Sequence, residues 1–453
     1  MNIVIIGMGE VGKHIATVLL EEQHDVVIID KNPSSLAAAE GAFDALVLQG
    51  HGASETTLVS ANVHNADLVC AVTDNDEINM LAALSAKQLG AKRVIARVSN
   101  RIYYPDDRGL ISDMFGAIDL VVNPKVLVAV ELHKLVRSAS AVAVEDFADN
   151  RIEMVQLPVL QRTSAVGKAL RDLKLPPNTL IAAIDRDNNL IVPSGNHTIQ
   201  AGDEVLCVGR IEQIPAIEKL FERERRRFVH KVFIIGGSEI GEHLAKALAA
   251  DGIKVVMIDQ DRERCFALKR SLPDTVTVLN ADGTDMHILE EEGVDHCDAF
   301  VACSGADEIN LMASLLAKQA GARRALALVH KPDYAKVCER LGIDATLSPR
   351  LTIAQQVLKY VRTGDVLSIR PVLSGRGEFL EFMASRDARI TGTPIKDANF
   401  PRGANICAVV GHKGAYVPRG NDVIESGDRV VVFTTPKQRL AVERMFRKPT
   451  LLG

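Results

Sequence analysis

Two stretches of this 453-residue chain are one strand–helix–strand unit written twice: MNIVIIGMGEVGKHIATVLLEEQHDVVIID (1–30) and HKVFIIGGSEIGEHLAKALAADGIKVVMID (230–259). No other feature constrains the fold as strongly, because each copy fixes the architecture of the other. The offset between copies is 229 residues at the glycines (236 − 7). It is 231 between 71–94 and 302–325 (302 − 71), and 225 between Asn123-Pro124 and Ser348-Pro349 (348 − 123). Copy two therefore lacks six residues (231 − 225) within the stretch SNRIYYPDDRGLISDMFG, which reads as an adaptable surface connection.

Each copy divides again. Its first part alternates short apolar strands (NIVIIG, VVIID, ALVLQG, LVCAVT, RVIARV and LVV in copy one) with helical patterns. Apolar runs of this kind predict strands buried on both faces, hence a parallel, doubly wound α/β sheet of Rossmann-like type. A helix follows, led by Asn123-Pro124 in one copy and Ser348-Pro349 in the other, where Asn or Ser reads as the N-cap and Pro as the first helical residue. The pattern then changes to short strands with turn residues (TLIAAIDRDNNLIVPSG, HTIQAGDEVLCVG and their counterparts) and closes on a helix, a small α+β module. Gly202-Asp203 and Gly427-Asp428 read as turns ahead of a strand. The expected boundaries are 1–122 and 229–347 for the sheets, 123–139 and 348–363 for connecting helices, and 140–228 and 364–453 for the modules.

Composition narrows the class. A net charge of −5 does not point to nucleic acid, and no apolar run approaches the roughly 18 residues needed to cross a bilayer. The start of the chain carries no signal-peptide pattern, and seven scattered cysteines without a Cys-x-x-Cys pair read as reduced thiols, so a cytosolic protein is expected. The run Glu222-Arg223-Glu224-Arg225-Arg226-Arg227 reads as a solvated helix end joining the halves, or as a contact with anionic lipid or a channel face. The connecting helices, apolar on more than one face over 126–136 and 351–361, read as domain-crossing and subunit-packing elements.

The chemistry lies at the glycine turns. Gly7, Gly9 and Gly12 allow a tight strand-to-helix turn, close approach of backbone to a phosphate, and close helix packing, with free N–H groups and the helix dipole to hold the anion. Asp30 stands 18 residues past Gly12, where a carboxylate can accept from both hydroxyls of an adenosine ribose and repel a 2′-phosphate. Thr73 and Asp74 end the fourth strand and read either as adenosine or ribose contacts or as a helix cap; Arg97 reads either as a phosphate ligand or as a surface ion pair. His51, between Gly50 and Gly52, reads as a polar rim residue. Copy two keeps Gly236, Gly241 and Asp259 but has Ser238 for Gly9, Gly305 for Asp74, Leu328 for Arg97 and Asp282 for His51. A nucleotide held more weakly or of another kind is expected there, with a purely structural copy as the alternative.

The glycine turn, Asp30, the AVTDNDEIN block, the Pro-led helix and the module containing IQAGDEVLCVG together resemble the RCK (KTN) domains that regulate potassium channels. Two complete copies across all 453 residues resemble the regulatory-subunit family of bacterial Trk potassium-uptake systems. The resemblance implies effector binding of NAD(H) or ATP/ADP and self-association into a ring, a homotetramer. It also implies a place on the cytoplasmic face of the inner membrane beneath a TrkH- or TrkG-type translocation subunit. By the same resemblance Gly7, Met8, Gly9, Glu10, Val11, Asp30, Thr73, Asp74 and Arg97 form the first site, and Gly236, Gly237, Ser238, Glu239, Ile240, Asp259, Asp282 and Ser304 the second.

An NAD-dependent oxidoreductase is the alternative reading. It would need a substrate domain that sets a proton donor against the nicotinamide. Here the modules are small, and His133, His197, His296 and His412 show no repeated spacing to a carboxylate. No P-loop is present for an ATPase.

Overall fold

The computed structural model describes residues 1–103, 116–138, 141–221, 229–361, 366–373 and 375–447. Most of the stretch that copy two shortens, and the charged run 222–227, lie outside the described residues. The chain divides into two compact units, Met1–His133 with His230–Val361, and Lys134–Val229 with Arg362–Gly453. The two duplicated sheets share one unit and the two modules share the other.

In copy one the strands are β1 (Asn2–Ile6), β2 (Asp25–Asp30), β3 (Leu46–Gln49), β4 (Leu68–Ala71), β5 (Val94–Arg97) and β6 (Leu120–Val122). They form a parallel sheet in the order β3-β2-β1-β4-β5-β6. The first module supplies β7 (Ala143–Phe147), β8 (Ile152–Pro158), β9 (Thr179–Arg186), β10 (Asn189–Ile191) and β11 (Glu204–Arg210), an antiparallel sheet ordered β10-β9-β11-β8-β7. Copy two repeats the parallel order as β14-β13-β12-β15-β16-β17, built from β12 (Lys231–Ile235), β13 (Lys254–Asp259), β14 (Val276–Asn280), β15 (Ala299–Ala302), β16 (Ala325–Leu328) and β17 (Ala345–Leu347). The second module repeats the antiparallel sheet as β18 (Val366–Val372), β19 (Gly377–Met383), β22 (Arg429–Thr434), β20 (Ala404–Gly411) and β21 (Gly414–Tyr416).

The doubly wound class expected from the apolar runs is what forms. Along β1 the side chains alternate between two cores: Ile3 and Ile5 enter one, Val4 and Ile6 the other. Both faces are covered by helices, so the strand is apolar throughout instead of alternating with polar residues.

The connecting helices are exchanged between copies within the first unit. The second, Pro349–Val361, buries Ile353, Ala354, Val357 and Leu358 in the copy-one core beside Ile15 and Leu19 of the helix Glu10–Glu21. The first, Pro124–Arg137, reaches copy two, where Lys125 pairs with Glu239 at 2.7 Å and His133 with Asp251 at 2.7 Å. Asn123 caps its helix as expected, its Oδ1 accepting from the amides of Lys125 and Val126. Ser348 does not: its hydroxyl is buried without a hydrogen-bond partner.

In the second unit the two modules share a core in which the rings of Phe147, Phe379 and Phe433 pack in series, tilted to one another, at centroid separations of 5.5 and 5.0 Å. Arg376 of one module forks onto Asp185 of the other at 2.6 and 2.7 Å. Gly202 has φ +89° and leads through Asp203 into β11, the turn its sequence implied.

Candidate functional site

The strand order reverses between β1 and β4, and ligands of open α/β sheets bind outside the carboxyl ends of the strands at such a point. Here a cavity of about 510 Å³ opens, within the usual range for small-molecule sites. Its wall includes Gly7, Gly9, Glu10, Val11, Asp30, Thr73, Asp74 and Arg97, eight of the copy-one residues singled out from sequence. Met8 and Gly12 are not part of it. The Met8 side chain is buried in the core, and Gly12 is a packing glycine: a Cβ there would stand 1.9 Å from the Gly7 carbonyl oxygen.

The turn is shaped for close approach. Gly7 has φ +104°, and a Cβ on it would meet the Thr73 backbone at 2.9 Å. At Gly9 a Cβ would meet nothing within 4 Å. Gly9 is also the N-cap of the helix Glu10–Glu21 and offers no side-chain cap, so the first-turn N–H groups gain no acceptor from it.

Asp30 works locally as well. Its Oδ2 accepts from the Met8 amide at 2.6 Å and its Oδ1 from the Asn32 amide at 2.8 Å, which stitches the glycine turn to the end of β2. Each carboxylate oxygen keeps a further lone pair for a ligand hydroxyl. Arg97 donates from Nη1 to the Thr73 carbonyl at 2.9 Å, while its Nε is buried with no hydrogen-bond partner. Burial lowers the Arg97 pKa, and Asp76 and Asp74 oppose that shift. The result is a half-buried guanidinium on the cavity wall with donor capacity to spare.

Sequence reasoning missed the residue that holds this edge together. Asn79, fully buried, accepts from the Thr73 amide and hydroxyl at 2.8 and 2.7 Å and donates to the Thr73 and Arg97 carbonyls at 3.0 and 2.9 Å. Asn310 makes the same four bonds to Ser304 and Leu328. Asp76 accepts from the amides of Ser99 and Asn100, and Asp307 from those of His330 and Lys331. The DNDEIN block is a scaffold for the two loops beside the cleft. Its exact recurrence as DEIN in both copies was the available signal.

The far wall also escaped sequence reasoning. His330, Pro349, Arg350 and Ile353 of copy two line the copy-one cavity. Two of them carry positive or protonatable groups toward a cleft otherwise built by the first copy.

Copy two differs in ways that go beyond the substitutions visible in the alignment. Ser238 caps its own helix, its hydroxyl accepting from the Gly241 amide at 3.3 Å, and the same hydroxyl donates to the Cys303 carbonyl at 3.1 Å. Arg264, at the position of Ser35 (35 + 229), donates to the Gly237 carbonyl and to Glu242 at 2.8 Å. Burial works against ionisation of Glu242, but hydrogen bonds from Lys246 and Arg264 outweigh it and hold the carboxyl at about 2. Leu268, in place of Ala39, lies 2.5 Å from where a Gly237 Cβ would stand. Asp259 repeats the bonds of Asp30, to the amides of Gly237 and Asp261. Asp282 is turned onto the Thr284 hydroxyl and amide, which lower its pKa. Ser304 is engaged by Asn310, and Gly236 packs against the Ser304 backbone. Glu239 binds Lys125, and Ile240 is half-buried beside it on the same helix.

The TrkA-N domain family matches residues 3–124 and 232–349, and the TrkA-C domain family matches 154–222 and 379–447. The chain is 35% identical to Trk system potassium uptake protein TrkA homolog 1 of Methanosarcina mazei, over 99% of this chain and all of that one. It is 36% identical to the TrkA homolog of Archaeoglobus fulgidus, with 99% and 100% covered, and 33% identical to TrkA of Halomonas elongata, with 99% of each covered. The chain belongs to the TrkA family of Trk potassium-uptake proteins. Among solved structures, the GsuK RCK domain aligns with TM-score 0.60 at 17% identity, covering 98% of this chain and 94% of that one. The GsuK channel bound to NAD aligns with TM-score 0.62 at 17% identity, covering 98% and 78%. Both establish the tandem RCK fold.

Among the described residues no group of three or more His, Cys, Asp or Glu is placed to hold a metal ion, and no helix is long and apolar enough to cross a membrane. All seven cysteines are buried and free.

Proposed function

We propose that this chain is the nucleotide-reading regulatory subunit of a Trk-type potassium uptake system, with an adenine nucleotide, NAD(H) or ATP/ADP, as its effector in the copy-one cleft. One observation carries the reading: a single 510 Å³ cavity is lined by an uncapped glycine turn at a helix N-terminus, by Asp30 and by the half-buried guanidinium of Arg97. Free first-turn N–H groups and a guanidinium on one wall suit an anion, and charge-assisted bonds of this kind are the strong ones. In this assignment the phosphates lie against Gly7, Gly9, Glu10 and Val11 at the helix N-terminus, with Arg97 beside them. The ribose lies on Asp30, and Thr73 and Asp74 border the adenosine. The copy-two residues, from Gly236 to Ile240 with Asp259, Asp282 and Ser304, form a second and weaker site, because Ser238 already fills a cap that a phosphate would take.

Regulation follows from linkage: an effector shifts a conformational equilibrium only by binding its two states unequally. Family membership supports a TrkH- or TrkG-type membrane subunit as the controlled partner and a homotetrameric ring on its cytoplasmic face as the working assembly. The test is potassium uptake in cells lacking this chain. Restoration by the wild type and loss of nucleotide response with Arg97→Gln are expected; full response with Arg97→Gln would refute the assignment. The rival oxidoreductase predicts sustained NADH oxidation with carbonyl substrates, and the regulatory reading predicts none.

A further inference from the structure

The copy-one cleft is finished by copy two, and the finishing residue is an arginine in an ion pair. Arg350, the second residue of the connecting helix Pro349–Val361, lines the cavity and places Nη1 3.1 Å from Glu10 Oε2. Glu10 is the first helical residue after Gly9, so its carboxylate sits at the positive end of the helix dipole. Its other neighbour, Lys13, is one turn along the helix at 3.5 Å. A phosphate chain bound over the glycine turn would enter the same positive region that Glu10 occupies. The two anions would repel, and Arg350 is the cation between them.

The reciprocal position has the same geometry with different chemistry. Lys125 of the first connecting helix pairs with Glu239 of copy two at 2.7 Å. Lysine is a compact point charge, whereas the arginine fork matches the oxygens of a phosphate in a bidentate way. The cleft lined by Arg97 is therefore also the one that receives an arginine from the opposite copy.

We propose that Arg350 is the phosphate-counting residue of the copy-one cleft: it leaves Glu10 for the distal phosphate of a polyphosphate nucleotide and ties the second connecting helix to the bound ligand. This rests on the nucleotide reading above and adds to it a residue and a direction of discrimination. AMP, held by Asp30 and the glycine turn, presents no distal phosphate to Arg350. ATP does. The exchange costs one exposed ion pair, worth little, and gains a charge-assisted bond to phosphate. Because Ile353, Ala354, Val357 and Leu358 of the same helix are packed in the copy-one core, the signal enters an element that cannot move independently of the sheet.

Calorimetric titration of the full chain with AMP, ADP and ATP tests this, using wild type, Arg350→Gln, Arg350→Lys and Glu10→Gln. The expected result is that Arg350→Gln weakens ATP about tenfold and leaves AMP within about twofold, the scale of one charge-assisted hydrogen bond. Arg350→Lys should recover part of the loss, and Glu10→Gln should tighten ATP by removing its competitor. Equal losses for AMP and ATP, or unchanged ATP affinity in Arg350→Gln, would overturn the proposal while leaving the nucleotide site intact. If the wild type binds none of the three, the proposal fails; if NADH is not bound either, the nucleotide reading fails with it.

Discussion

Replacing Asn79 by Ala should damage copy one in two separable ways. The substitution deletes four hydrogen bonds at a fully buried position; it strands the Thr73 amide and takes the Asn79 donor from the Arg97 carbonyl, while the Thr73 carbonyl keeps only the Arg97 guanidinium. An orphaned buried polar group costs about 1–3 kcal/mol, and neighbouring losses sum to less than their total, so roughly 3–5 kcal/mol is expected. Native-state hydrogen exchange of the amides in β4 and β5 reads this opening locally. Thr73 and Arg97 both line the cavity, so nucleotide affinity should fall with it. Asn310→Ala is the control: it breaks the same four bonds in copy two and should cost a similar amount there while copy-one nucleotide binding stays within about twofold. A loss below about 1 kcal/mol for Asn79→Ala would refute the scaffold role, because even one orphaned group exceeds that.

Three further outcomes are expected. Asp30→Ala should weaken adenine-nucleotide binding about tenfold, as the loss of a charge-assisted acceptor, and equal calorimetric affinities for mutant and wild type would remove Asp30 from the site. Ser238→Gly, which frees the Gly241 amide from the Ser238 hydroxyl, should raise nucleotide occupancy of copy two, read as an increase in binding stoichiometry. In the module unit, burial raises the Glu153 carboxyl to about 7, against the attraction of Arg137 and with Asp146 and Glu218 adding to the rise. The folded chain thus holds this proton more tightly than the unfolded one. Its contribution is full below the unfolded pKa and is lost as pH climbs through about 7. Glu153→Gln, a mimic of the protonated acid, should therefore stabilise the unit more at pH 8 than at pH 5. The difference is on the order of 3 kcal/mol for a shift of this size, and a pH-independent difference would contradict the assignment.

Much of the fold was legible because the duplication supplied two readings of each element. The six strands of the first parallel sheet were visible as apolar runs, and burial on both faces explains the central ones, β1 and β4, though not the edge strand β3. The modules were harder. β8 is IEMVQLP, a strand buried nearly along its whole length that carries Glu153 and Gln156 inside, so neither an apolar run nor an alternation announces it. Glu153 is tolerated there because Arg137 of the first connecting helix reaches it, a contact that depends on tertiary structure.

At the site, the residues set by local backbone geometry were readable, as at Gly7, Gly9 and Asp30. What sequence could not supply was the contribution of the opposite copy. Arg350 is far from Gly7 in the chain and reaches its cleft because the second connecting helix packs on the copy-one core, and His330, just past β16, comes to the same wall. The covering of Gly237 was likewise hidden. The copies trade volume there, Met8 with Ala39 against Gly237 with Leu268, and that compensation is seen only once the side chains share a core.

Nucleotide control of uptake requires that the copy-one cleft grip an adenine nucleotide. Equilibrium titration of the full chain with NADH and with ATP, for the wild type and Arg97→Gln, measures that grip. Saturable binding by the wild type is expected, with a drop of about tenfold or more when the half-buried guanidinium is removed. Absence of binding, or binding indifferent to Arg97→Gln, would contradict it.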